Sequence, residues 1–178
     1  MVEAGGITPL VALARDGTDE QKGLAAHALG NLALGVPWGS SHSARRSAND
    51  QVAIVRAGGI IPLVAFARDG TDEQKGLAAC ALGNLASDSD DNQVAIAQAG
   101  GIPLLVALTR DGTEDQQTAA AVALANLAHN ADNQVSIAQV PGGIKQLVAL
   151  VRDGTGAQRT FADHALKQLA LDADNQVP

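Results

Sequence analysis

The sequence predicts an all-α solenoid of about four stacked repeats. Three observations predict it: a fixed period, a helix-start motif that returns at that period, and an apolar stripe that no single unit can cover. The doublet Gly-Gly begins at Gly5, Gly58, Gly100 and Gly142, spaced by 53, 42 and 42 residues, and the tetrad RDGT keeps the same three intervals. Self-similarity at this period is the mark of a helical repeat array. The stretch RDGTDEQKGLAAHALGNLA, Arg15 to Ala33, returns at Arg68 to Ala86 with only His27 exchanged for Cys80, and looser copies start at Arg110 and Arg152.

Within one period the local signals divide the chain into three helices. A short first helix is expected from Asn92, in NQVAIAQAG, to the Gly pair, where a sharp turn would otherwise clash with a side chain. The second helix, GIPLLVALTRDG, has Pro103 in its first turn, where a missing N–H costs little. Arg110 suits the negative end of its dipole, and Gly112 is expected to adopt the left-handed stop. The third helix opens on a capping box, Thr-x-x-Gln, at Thr18 and Gln21, Thr71 and Gln74, Thr113 and Gln116, and Thr155 and Gln158. It carries Leu24, Ala25, Ala28, Leu29 and Leu32, a stripe expected to bury one face against the neighbouring repeat.

The whole chain, 1–178, reads as a single array with units at approximately 4–48, 49–90, 91–131 and 132–173, and 174–178 as the truncated start of a further helix. The first unit runs directly into its Gly pair and lacks a first helix. It is therefore expected to expose an apolar edge at the N-terminal end through which copies can self-associate as a homo-oligomer. In the fourth unit Asp163 and Lys167 replace the small residues that the others present there (Ala26 and Gly30, Ala79 and Gly83, Ala121 and Ala125). This acid-first pair is favourable on an exposed helix face and costly when its members are buried singly, so no further third helix is expected to stack on it.

An insert, residues 34–49, holds the only Trp and the basic pair Arg45 and Arg46 with no acid. It reads as a surface loop. A sharper alternative makes Trp38 and the arginines a tethered pseudo-ligand for the acidic body.

Composition restricts the partner. The net charge is −7 and the pI about 4.8, which argues against nucleic acid or an anionic membrane as the main ligand, because both are met with clustered Lys and Arg. A protein or peptide, polar or basic, is easier to accommodate. One cysteine excludes an internal disulfide and fits a reducing compartment. With no apolar run of 18 residues and no signal segment at Met1, the expected location is cytoplasmic or nuclear; a longer parent protein can carry targeting signals of its own.

The pattern NQVAIxxAGGIxPLVALxRDGTxEQxxxAAxALxNLA resembles the armadillo repeat over nearly the whole chain apart from the insert. The resemblance implies a right-handed armadillo-type superhelix of three-helix units. The two-helix HEAT repeat is disfavoured by the Gly-Gly hinge. It also implies that the Asn of ALxNLA, here Asn31, Asn84 and Asn126, with Gln168 in the fourth copy, lines a concave groove and holds an extended peptide backbone. The physics is consistent. An amide offers donor and acceptor to a peptide unit, and rungs about 10 Å apart match about three extended residues. An amide at this place can instead serve a neighbouring helix or bind water.

One turn earlier stand His27, Cys80, Val122 and His164, positioned to tune side-chain choice. Nuclear-import adaptors that resemble this chain carry Trp there; its absence argues against nuclear-localisation peptides. Glu20, Glu73 and Asp115 open the third helices at matched positions, each 11 residues before the Asn. They complement the helix dipole and would form an acidic rim selecting Lys or Arg.

No catalytic constellation, cofactor motif or metal site is expected. Zinc needs its ligands about 2.0–2.3 Å from one centre, whereas equivalent positions in adjacent repeats, such as His27 and Cys80, are about 10 Å apart. His164 is farther still, and His42 and His129 lie outside the helices with no partner at ligand spacing. The expected function is a non-catalytic interaction scaffold. The alternatives are a self-associating assembly unit and, as the resemblance implies, a substrate-recruiting fragment of a larger enzyme such as a ubiquitin ligase.

Overall fold

The second, third and fourth repeats are each built from three segments with different local chemistry and the first from two, and the computed structural model describes them over residues 6–34, 43–87 and 89–171. Among the described residues there are eleven helices and no strand: α1 (Ile7–Asp16), α2 (Asp19–Leu34), α3 (Ser43–Arg56), α4 (Ile60–Asp69), α5 (Asp72–Ala86), α6 (Asp90–Gln98), α7 (Gly101–Asp111), α8 (Glu114–Leu127), α9 (Ala131–Gln139), α10 (Gly143–Asp153) and α11 (Gly156–Leu169). The longer helices α2, α5, α8 and α11 stack in that order, each against the next. Their leucines Leu29, Leu82 and Leu124 are fully buried and Leu169 nearly so, each buried leucine contributing about 1.5–3 kcal/mol. No single described helix is long and apolar enough to cross a membrane.

The capping boxes form as expected. Thr71, Thr113 and Thr155 accept from the third backbone N–H of their helices while Gln74, Gln116 and Gln158 reach back to the cap, and Thr18 and Gln21 exchange the same pair of bonds. The turn between the first and second helices is carried by two glycines with different tasks. Gly58, Gly100 and Gly142 take φ of 81°, 83° and 85°, a left-handed conformation that costs other L-residues roughly 1–2 kcal/mol. The following glycine has no room: a Cβ on Gly101 would lie 2.7 Å from Ile96 Cγ2 and 2.9 Å from its carbonyl oxygen.

Gly112 behaves differently from the sequence expectation. Its φ of −77° and ψ of 167° are extended, not left-handed. Glycine is needed there because a Cβ would approach the Leu108 carbonyl oxygen to 2.5 Å and Gln116 Cβ to 2.9 Å, so close approach of the capping box, not helix termination by φ, selects the residue.

Three further expectations are corrected. The loop at 34–49 is shorter than read, because Leu34 ends α2 and α3 already begins at Ser43; Ala44, Arg45 and Arg46 are good helix formers. Trp38 and His42 lie outside the described residues. The short first helix starts two residues early, at Asp90, with the Ser89 hydroxyl accepting from the Asn92 N–H at 3.3 Å. Leu24 is 67% exposed, since its repeat-two counterpart Leu77 packs beside Gly30 of the preceding third helix and no described third helix precedes α2.

The NQ pair of the first helix has a structural task that its sequence pattern did not reveal. Gln51, Gln93 and Gln134 donate Nε2 to the carbonyls of Ala33, Ala86 and Ala128, at 3.2, 2.9 and 3.0 Å. Asn92 and Asn133 donate Nδ2 to Leu85 and Leu127. These are the orphan carbonyls at the C-terminal ends of the third helices, each costing about 1–3 kcal/mol if buried unpaired. The first helix of each unit therefore caps the third helix of the unit before it.

Candidate functional site

The third helices supply a continuous surface because their starts are aligned by the capping boxes and their flanks are small. A Cβ on Gly83 would lie 3.3–3.4 Å from the backbone and Cβ of Ala123, so α5 and α8 approach closely. The capping glutamines add a bond across two of the seams: Gln116 donates Nε2 to the Asp72 carbonyl at 2.8 Å, and Gln158 donates to the Glu114 carbonyl at 3.1 Å.

Between α5 and α8 lies a depression of about 390 Å³ whose walls include Asp72, Glu73, Leu77, Cys80, Asp115 and Gln116. The sequence predicts Glu73, Cys80 and Asp115 as groove or rim residues and does not predict Asp72 or Leu77. Gln116 was legible only as a cap, and its second role across the seam depends on α5, 44 residues back.

The rim acids meet groove residues across seams. Glu73 Oε1 is 3.9 Å from His27 Nδ1 of the preceding repeat, with both side chains largely exposed. Burial pushes the Cys80 thiol up, and the nearby Asp115 carboxylate pushes it further in the same direction. Glu20 stands exposed on the first turn of α2. The fourth repeat has Ala157 in place of the acid. Val122 is half-buried.

The amide ladder divides. Asn126 donates Nδ2 to the Gly83 carbonyl at 2.9 Å, tying α8 to α5. Asn84 has its Nδ2 shut off from solvent with no hydrogen-bond partner, so its repeat carries an amide hydrogen pair that is desolvated and unused. Asn31 and Gln168 are half-buried at the equivalent positions. In Asn126 the helix-serving role of the amide is thus realised.

At the far seam the structure brings together two residues that sequence spacing kept apart. His129, which follows the C-cap Ala128 of α8, places Nε2 3.2 Å from Nε2 of His164 on α11. Their rings are 5.1 Å apart and tilted by 51°. The expectation that His129 has no partner is corrected: the sequence separation of 35 is spanned by the stacking of α11 on α8. Beside it, Asp163 and Lys167 form the exposed i,i+4 ion pair that their spacing predicts.

A family model described as the armadillo/β-catenin-like repeat matches residues 89–129. No curated protein sequence matches the chain. Among solved structures, two crystal structures of engineered proteins superpose with TM-scores of 0.80 and 0.79 at 32% and 34% identity. They cover 94% and 93% of this chain and 63% and 38% of their own. A designed armadillo repeat protein in complex with the peptide (KR)4 superposes with a TM-score of 0.77 at 27% identity, covering 94% of this chain and 66% of that one. The chain thus spans less than two thirds of the length of each.

Proposed function

This chain is a solenoid of armadillo repeats, and from that premise we propose that it is a non-catalytic interaction scaffold that takes an extended basic or polar peptide along its third helices. The observation that carries the proposal is the depression between α5 and α8, where Asp72, Glu73 and Asp115 stand over the apolar stem of Leu77 and the half-buried Cys80. A Lys or Arg side chain suits this combination: its alkyl stem covers apolar surface while its charged end stays among carboxylates. A designed armadillo protein of the same fold is complexed with a peptide of alternating Lys and Arg, which supports the same ligand class here. Asn84 has no hydrogen bond committing its Nδ2, whereas Asn126 has its Nδ2 committed to Gly83, so Asn84 is the amide we assign to a peptide carbonyl.

The test is titration of a fluorescent Lys/Arg peptide into wild type and into Glu73→Gln plus Asp115→Asn. Exposed charges contribute about 0.2–1 kcal/mol each, so the double variant is expected to bind about five-fold more weakly and with a shallower dependence on salt. Equal affinity in the two proteins, or equal binding of a Glu/Asp peptide, would sink the proposal.

A second reading rests on Leu24. Its 67% exposure, at the place where Leu77 is packed one repeat later, supports an assembly unit that self-associates through this face. Sedimentation would then show mass rising with concentration in wild type and not in Leu24→Glu.

A further inference from the structure

The geometry points to a divalent transition-metal site formed by His129 and His164 at the α8–α11 seam. Two imidazole nitrogens bound to one ion at about 2.0–2.1 Å, with an angle at the metal between a right angle and the tetrahedral value, must themselves be about 2.8–3.4 Å apart. The two Nε2 atoms are 3.2 Å apart. The rings give a second, separate measure. Imidazoles radiating from one such ion have centroids about 5 Å apart, and these are 5.1 Å apart. A head-to-head N–H···N bond with both ring axes in line would set the centroids farther apart at the same nitrogen separation, and the inclination of these rings matches that of two imidazoles about one ion.

The chemistry of the donors selects the ion. Two neutral imidazoles suit zinc, copper or nickel and not magnesium or calcium, which take oxygen ligands. Without an ion, one ring donates its Nε2 proton to the other's lone pair. With an ion both rings keep their proton on Nδ1 and present Nε2 to the metal. No third His, Cys, Asp or Glu joins them at ligand distance among the described residues, so water completes the coordination and the affinity is that of a two-histidine clip.

Both side chains are exposed, which leaves the site open to solution. One ligand follows the end of α8 and the other lies within α11, so an ion here clamps the third repeat to the fourth. No rim acid occupies the start of α11, where Gly156 and Ala157 stand, so the clip lies on a seam whose second helix lacks the rim carboxylate. The proposal is independent of peptide binding, because its probe is the metal alone.

Calorimetric titration of the whole chain with ZnCl2 tests it. The expected result is about one Zn2+ per chain, with His129→Ala and His164→Ala each weakening binding at least about ten-fold, the range lost when a zinc site is disturbed. Zinc is also expected to raise the thermal midpoint of wild type by roughly 5 °C and to leave that of His164→Ala unchanged. Both substitutions remove exposed side chains, and unchanged helical dichroism verifies that the variants are folded. Zinc binding by either variant with wild-type affinity, or an equal response of wild type to MgCl2, would overturn the assignment.

Discussion

Repeats one and two carry the same words in different surroundings. From Arg15 to Ala33 and from Arg68 to Ala86 only one residue differs, yet Leu24 is 67% exposed while Leu77 packs over Gly30. Gly6 and Gly59 make the same point more sharply. Both have right-handed backbones, φ −85° and −69°. Among the described residues a Cβ on Gly6 would meet nothing within 4 Å, whereas one on Gly59 would lie 2.6 Å from Ile54 Cγ2 and 2.9 Å from the Ile54 carbonyl oxygen. Ile54 belongs to α3, the first helix of repeat two, and no first helix precedes α1 among the described residues. Position in the stack decides what an identical residue does.

Pairs of matched substitutions break or sharpen this contrast. The largest effect is expected for Gly59→Ala, which should cost roughly 1–3 kcal/mol through overpacking. Gly6→Ala should stay within about 0.5 kcal/mol of wild type or stabilise slightly. Chemical denaturation of the two variants decides it, and equal losses would mean that Gly6 has a neighbour of its own.

Next comes Leu77→Ala, expected to cost about 1–2 kcal/mol as a partly buried leucine, below the 2–5 kcal/mol of full burial. Leu24→Ala should fall within about 0.5 kcal/mol. A large loss for Leu24→Ala would show instead that this face is covered in solution.

A third pair uses the single difference between the copies. His27→Cys makes the two segments identical, and alkylation of its exposed position is expected to run about three-fold or more faster than that of Cys80. Burial and Asp115 both disfavour the Cys80 thiolate, which is the nucleophile. Mass-spectrometric labelling near pH 8 reads both rates, and matching rates would erase the distinction.

The smallest effect belongs to the exposed pairs Arg15–Asp16, Arg110–Asp111 and Arg152–Asp153, bonded at 2.6–2.8 Å. The arginine beside each carboxyl holds it below the usual range. Any stability this lends is present above the unfolded carboxylate pKa and is lost as pH falls through the folded one. Arg110→Ala should leave the midpoint at pH 7 unchanged within error and slightly reduce the difference between pH 7 and pH 3.

Most of the fold was legible in the chain because its signals are local. Thr71 and Gln74 sit three residues apart and find one another in any helix that starts there. Gly100 takes a φ of 83° because the turn needs a left-handed backbone there, which glycine adopts without steric cost. Gly112 shows the limit of such reasoning: its place after a helix was read correctly and its backbone conformation was not, since the constraint came from Leu108 and Gln116 closing around it. The site was legible only in part. Glu73, Cys80 and Asp115 do line one depression, while Asn126 turned out to bond Gly83 and His129 to face His164.

Helix number, order and caps follow from residues within one or two turns of each other, and the amino-acid pattern specifies those without help. Which leucine is wet, which amide is committed to a neighbouring helix and which histidines meet are contacts made across 35 to 53 residues. They exist only once each helix has a neighbour to press against, because burial and close approach are properties of the stack and not of the unit.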